Sequence, residues 1–229
     1  MGLNEMTHAF LAAKYYVRLT EHFGDRGKAA FLHATRYYAE QRGRRMAQRA
    51  IRDGKALTYE TYCRYGEWVS TDEAKALGFS NRTEVKTVSP DYEMHIHVCP
   101  WHEQFKKMGL TEAGLLYCSD LDASICRGFN PKLVYEVSQT LHDHAFCIQT
   151  VPDAGLTDGS TLEKNPSGLR SFEYHCAHLY WAFREVSAAI FGREGEAAAE
   201  EVQGDFEEAY GKEAWDCLAG YQNTNFNVA

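Results

Sequence analysis

The sequence predicts an α+β fold: a small antiparallel sheet with a helical insertion, flanked by N- and C-terminal helices. Three observations carry this. Apolar residues recur at helical spacing over residues 5–53 and again after Ser171. Period-two alternation is confined to the middle of the chain, and turn residues separate the alternating runs. Runs of helix segregated from runs of strand mark α+β architecture, not alternating βαβ units.

Each element follows from a local signal. Phe10, Ala13, Val17, Thr20 and Phe23 form a first helical stripe, which Gly24-Asp25 interrupts. A second helix carries Leu32, Ala39, Met46 and Ala50 and stops at Asp53-Gly54, glycine being the residue that ends a helix most cheaply. Thr58 to Trp68 is a short aromatic helix, and Thr71 caps another brief one. Glu84 to Val88 then reads as a strand, Ser89-Pro90-Asp91 as a turn, and Tyr92 to Cys99 as a second strand. In that second strand Tyr92, Met94, Ile96 and Val98 share one face; Glu93, His95, His97 and Cys99 share the other. Pro100 ends it. Trp101 to Met108 and Thr111 to Arg127 are helical, separated by Gly109. Gly128-Phe129-Asn130-Pro131 turns into a strand from Lys132 to Leu141, and His142-Asp143 bends into the last one, His144 to Val151. Residues 152–168, rich in glycine, aspartate, serine and proline, predict a loop, either a lid that closes over a bound molecule or an ordinary surface connection. Helices follow from Ser171 to Phe191 and from Glu194 to Tyr221. One domain of 229 residues accommodates all of this, as a helical part (1–78), strands with the helical insertion (79–151), a loop (152–170) and terminal helices (171–229).

A net charge of −8 argues against nucleic acid or an anionic membrane as partner. No apolar run reaches the length of a membrane span, and Asn4, Glu5, His8 and Lys14 interrupt any signal-peptide pattern. Seven cysteines without a scaffold rhythm then read as reduced thiols of a cytoplasmic protein. Arg36 to Arg52 is basic and Glu194 to Glu213 acidic. These are either two solvated helix faces or two segments that attract each other, within one chain or across a homo-oligomer.

Chemistry concentrates between Cys99 and Cys147. Cys99-Pro100-Trp101-His102, Tyr117-Cys118-Ser119-Asp120-Leu121-Asp122 and His142-Asp143-His144-Ala145-Phe146-Cys147 combine thiols, imidazoles and carboxylates within about fifty residues, side chains that do nucleophilic and acid–base work. Cys118 is either a nucleophile, given a histidine to lower its pKa, or a small buried apolar group. Asp122, one helical turn on, is a general base, an acceptor for amidine nitrogens, or a cap. His142 and His144 are proton shuttles beside Cys147, although strand alternation leaves one of them exposed. His95 and His97 form a strand ladder that His175 and His178 would complete as a divalent-metal site, zinc or manganese, unless the latter pair is core. Trp101, Tyr117 and Phe129 would stack on a flat ring or fill the core, the commoner fate of such residues, and Asn130 would present its amide to a ligand or cap the turn.

In order and spacing, Cys99-Pro100-Trp101, Tyr117-Cys118, Asp122 ahead of Gly128-Phe129-Asn130-Pro131, Cys147, and the helix Cys176-Ala177-His178-Leu179-Tyr180 resemble the L-2-amino-thiazoline-4-carboxylic acid hydrolase family. His142-Asp143-His144 stands where that pattern has a glycine-aspartate turn. The resemblance implies a hydrolase that adds water to the carbon between two heteroatoms of a five-membered sulfur- and nitrogen-containing ring, with release of thiol or sulfide. A thiazoline carboxylate and a thiohydantoin both suit it. Taken with the residue reading above, this predicts Cys118, Asp122, His142, His144 and Cys147 as catalytic residues, and Cys99, Trp101, Asp120, Phe129, Asn130 and His178 as substrate contacts. The reading from another class is a sensory or carrier module that binds a small molecule without converting it.

Overall fold

Two long helices form the spine because their ends are sharply defined. Asn4 caps α1 (Glu5–Phe23), its side chain accepting from the backbone N–H groups of Met6 at 3.0 Å and Thr7 at 3.1 Å. Gly24, at φ 55°, makes the tight break into α2 (Asp25–Arg52). The computed structural model describes residues 2–229. Along the rest of the chain lie α3 (Tyr59–Arg64), α4 (Asp72–Ala76), β1 (Arg82–Thr87), β2 (Tyr92–Val98), α5 (Pro100–Lys107), α6 (Thr111–Phe129), β3 (Glu136–Gln139) and β4 (Cys147–Val151). A single 3-10 turn at Pro166–Gly168 precedes α7 (Phe172–Phe191), α8 (Arg193–Tyr210) and α9 (Lys212–Ala219). The fold is α+β: an antiparallel sheet of order β1-β2-β4-β3 packed on a predominantly helical body.

Helices α2 and α6 touch backbone to backbone. A Cβ on Gly43 would come within 2.0 Å of the Ile125 carbonyl oxygen, and one on Gly128 within 2.4 Å of the Glu40 carbonyl oxygen. Gly128 therefore belongs to the last turn of α6, whereas the sequence reading placed it in a turn after the helix. The crossing holds α2 and α6 together where they share a cavity. Gly43→Ala gains about 1 kcal/mol of helix propensity but meets rigid backbone. The expected net loss is about 1–3 kcal/mol of stability, measured as a lower urea midpoint. An unchanged midpoint would mean that the two helices can separate freely.

The β3–β4 connection is longer than a two-residue His142-Asp143 bend. Asp143 folds back, its carboxylate accepting from the Thr140 backbone N–H at 3.1 Å and hydroxyl at 2.8 Å, so both strands are shorter than the alternation suggested. The charge segments also pair differently. Acidic α8 meets α1, with Arg18 on Asp205 at 2.7 Å and His22 on Glu201 at 2.9 Å. The basic face of α2 turns inward: Arg42, Arg45 and Arg49 are buried. Arg36, Arg44 and Arg52 stay exposed, as do Glu194, Glu200, Glu208 and Glu213, so the solvated-face reading holds for part of each segment, and among the described residues no ion pair within the chain joins the two. Among the described residues no helix is long and apolar enough to cross a membrane.

Candidate active site

A cavity of about 400 Å³ lies between the inner face of the sheet and helices α2, α3 and α6. Its size suits a small-molecule ligand. In the sheet, Ile96 pairs with Cys147 and Met94 with Gln149, so alternation turns these four side chains toward the helices. In α6, Cys118 and Asp122 stand one turn apart on the same face and both line the cavity.

Asp122 is held from the sheet. Its Oδ2 accepts the Gln149 Nε2–H at 2.9 Å, and Gln149 Oε1 accepts the Tyr135 hydroxyl at 2.7 Å. Tyr135 thereby orients the Gln149 amide so that its NH₂ faces the carboxyl. Burial raises the Asp122 pKa, the Gln149 hydrogen bond and Arg42 opposing it. A carboxyl tuned in this direction releases and recovers a proton near neutral pH more readily than an exposed one.

Three thiols surround it. Cys99 follows the end of β2 and precedes Pro100, so it leaves the strand register it was expected to share with His95 and His97 and turns into the cavity. Cys118 and Cys147 complete the group, Cys147 Sγ accepting the Leu141 backbone N–H at 3.2 Å. Burial pushes Cys118 well above the ordinary thiol range, Cys99 to about 12 and Cys147 to about 11. They are neutral S–H groups at physiological pH. All seven cysteines are free.

Behind the cavity lies a buried charge cluster. Glu67 is fully buried and accepts from Arg45 Nη2 at 2.8 Å and Arg49 Nη2 at 2.9 Å, with Arg42 Nε at 3.7 Å. Burial works to raise this carboxyl, but Arg45 foremost among the arginines overrides it and holds it at about 2. Arg42 and Glu67 both line the cavity, together with Lys164 from the 152–168 loop. Arg42, Arg45 and Arg49 lie along one stripe of α2, a spacing in the sequence that places them on a common face. Gln149, Tyr135 and Lys164 carried no such signal.

Other expected site residues lie elsewhere. His144 is exposed, paired with Asp143 at 3.1 Å. His142 packs between His102 and Phe105, its ring filling the notch at Gly114, because the longer β3–β4 loop folds onto α5. Neither reaches Cys118 or Cys147 as a cavity partner. Asp120 points to the outer side of α6 and pairs with Arg36. Phe129 is core against Tyr62, and Asn130 ends α6 with its amide donating to the Leu57 carbonyl at 2.7 Å. Tyr117 is likewise buried in the core. Trp101 does line the cavity, anchored by its Nε1–H to His8 Nδ1 at 3.0 Å.

The four proposed metal ligands do not converge. His95 and His97 sit on the outer sheet face against Phe146, paired with Glu93 at 3.0 Å and Glu84 at 3.2 Å. His175 and His178 are buried among the helices, His175 on the Glu67 carbonyl at 3.1 Å and His178 on Gln41 at 2.8 Å. The sheet stands between the two pairs' environments. Among the described residues no three His, Cys, Asp or Glu side chains are arranged to hold a metal ion.

These buried imidazoles make the fold acid-sensitive. Burial lowers the pKa of His8 and His178, that of His175 to about 3 and that of His142 to about 4. Above pH 6.5 they are neutral in both states and the pH costs nothing. Below it the unfolded chain takes up protons that the folded chain refuses, and stability falls. Glu67 adds to the loss between its unfolded pKa near 4.5 and about 2, where it protonates in the fold. Each refused proton costs about 1.4 kcal/mol per pH unit. Melting at pH 7 and pH 5 is expected to differ by more than ten degrees, and equal melting temperatures would contradict the burial of these rings as neutral groups.

No curated protein and no solved structure matches the chain. The family model described as L-2-amino-thiazoline-4-carboxylic acid hydrolase matches residues 4–147, from the cap of α1 to the first residue of β4. That span supplies Arg42, Glu67, Cys99, Cys118, Asp122 and Cys147 to the cavity. The chain belongs to the L-2-amino-thiazoline-4-carboxylic acid hydrolase family.

Proposed function

We propose that the cavity opens a small five-membered thiazoline-type ring by direct attack of water, with Asp122 moving the protons. The single observation that carries this is Asp122 itself, a cavity carboxyl of raised pKa whose orientation Gln149 and Tyr135 maintain. Water adds to the ring carbon between sulfur and nitrogen as Asp122 accepts a proton. The C–S bond then breaks, since a thiol is far more acidic than an amine and its anion leaves more easily. Of the two protons of water, one finishes on the ring nitrogen and the other on the sulfur, while the oxygen becomes the carbonyl of a urea. Asp122 ends the cycle as it began.

The three cavity thiols favour water over a covalent cysteine route. A thiolate needs a positive neighbour or a base, and burial drives Cys99, Cys118 and Cys147 the other way. Neutral S–H groups instead supply a soft, polarisable wall for the ring sulfur. Trp101, Tyr59 and Tyr62 provide aromatic surface for a flat ring.

The test is to incubate purified protein with 2-amino-thiazoline-4-carboxylic acid and follow small-molecule thiol and loss of the ring by mass spectrometry. One thiol per ring consumed is the expected result. Binding of the ring without turnover would assign the chain to a carrier or sensor role.

A further inference from the structure

The charges beside the cavity do not balance. Four cations, Arg42, Arg45, Arg49 and Lys164, face two carboxyls, Glu67 and Asp122, an excess of two positive charges when both acids are ionised. Arg45 and Arg49 each donate to Glu67 at hydrogen-bonding distance, though Arg49 Nε and Nη1 have no partner among the described residues; Arg42 stands 3.7 Å from Glu67, its buried Nε likewise unpartnered among them. Lys164 Nζ donates to the Trp68 carbonyl at 2.5 Å, lies 5.0 Å over the Trp68 ring, and meets no carboxylate at ion-pair distance among the described residues. Burial, with the repulsion of Arg42, draws its pKa down to about 8. A cation kept from water without a counter-charge is costly. Two of them on one cavity make that cavity attractive to an anion.

The backbone accommodates this placement. A Cβ on Gly66 would lie 3.1 Å from Lys164 Cε, so the absence of a side chain there lets the lysine stem cross to the cavity. Arg42 reaches the same cavity from α2 beside the α2–α6 crossing.

We infer that Lys164 and Arg42 form the anion-binding end of the cavity and select ring substrates that carry a carboxylate. The ring identity rests on the hydrolase reading above; the anion requirement does not. Arg42 lies within the residues the family model matches, whereas Lys164 is supplied by the 152–168 loop beyond them, so one of the two cations belongs to a part of this chain that the family match does not describe.

Two arms separate this inference from the hydrolase reading. In the first, calorimetry compares thiazolidine-4-carboxylate, whose carbon between sulfur and nitrogen is a saturated CH₂ that water does not attack, with its carboxamide. The acid is expected to bind and the amide to bind roughly 10- to 100-fold more weakly, the usual size of a charge-assisted contact. Lys164→Met should erase most of that difference, and Lys164→Arg should retain it. In the second arm, turnover of the thiazoline acid and its carboxamide is measured on wild-type protein, with the difference expected mainly in KM. Acid-selective binding without any turnover removes the hydrolase reading and leaves the anion site standing. Equal turnover of acid and amide, equal binding of the two, or no binding of either overturns the anion site, and needs no variant to fold.

Discussion

Asp122→Asn is expected to lower turnover of a thiazoline carboxylate at least about a hundredfold, the loss typical of removing a general base. The substitution should leave the melting temperature within a degree or two. An asparagine keeps the shape of the side chain, and its carbonyl can still accept the Gln149 Nε2–H that the carboxylate accepts at 2.9 Å. What it loses is the capacity to take a proton. The pairing of the two measurements matters, because a cavity residue tied to the sheet could also act on the fold. Activity near that of the wild type would make Asp122 a structural acceptor. Loss of activity together with a large drop in melting temperature would do the same.

Glu67→Gln is expected to be the most damaging single change to stability, about 3–5 kcal/mol, seen as a lower urea midpoint. The isosteric amide removes the one carboxylate that Arg45 and Arg49 contact and that Arg42 faces, leaving three buried guanidinium groups without a counter-charge. Arg45 is nearly inaccessible and Glu67 wholly so, and water cannot compensate them. The double change Glu67→Gln with Arg45→Met should recover part of the loss, since it removes an unpaired charge along with its partner. A shift below about 1 kcal/mol for the single variant would show that solvent reaches the cluster, contrary to its burial.

Much of the architecture was legible because helix and strand periodicity are local. The stripes of α1 and α2, the switch to period two near residue 82, and the Pro100 stop each depend on a few neighbouring residues. Boundaries were less legible where side chains fold back on the backbone. Asp143 capturing Thr140 shortened β3 and β4, and the close approach of Gly128 to Glu40 drew it into α6. The basic segment of α2 misled for a related reason. Arginines usually mark solvated faces, and the acid that buries three of them here lies on a different segment.

The sequence by itself determined the order and type of elements and the α+β class. It also determined that Cys118 and Asp122 share a helical face, since a helix turn is a short-range constraint. Only the tertiary structure decided which groups meet them. Asp122 is positioned by Gln149 across 27 residues, Arg45 and Arg49 are neutralised by Glu67, and Lys164 enters from a loop whose composition marked a lid or a connection but not a cavity cation. The same packing sent His142 to α5, His95 and His97 to the outer sheet face, and His175 and His178 into the helical core. Proton affinity and charge balance depend on burial and on neighbours distant in the chain, and those exist only once the sheet has closed on α2 and α6.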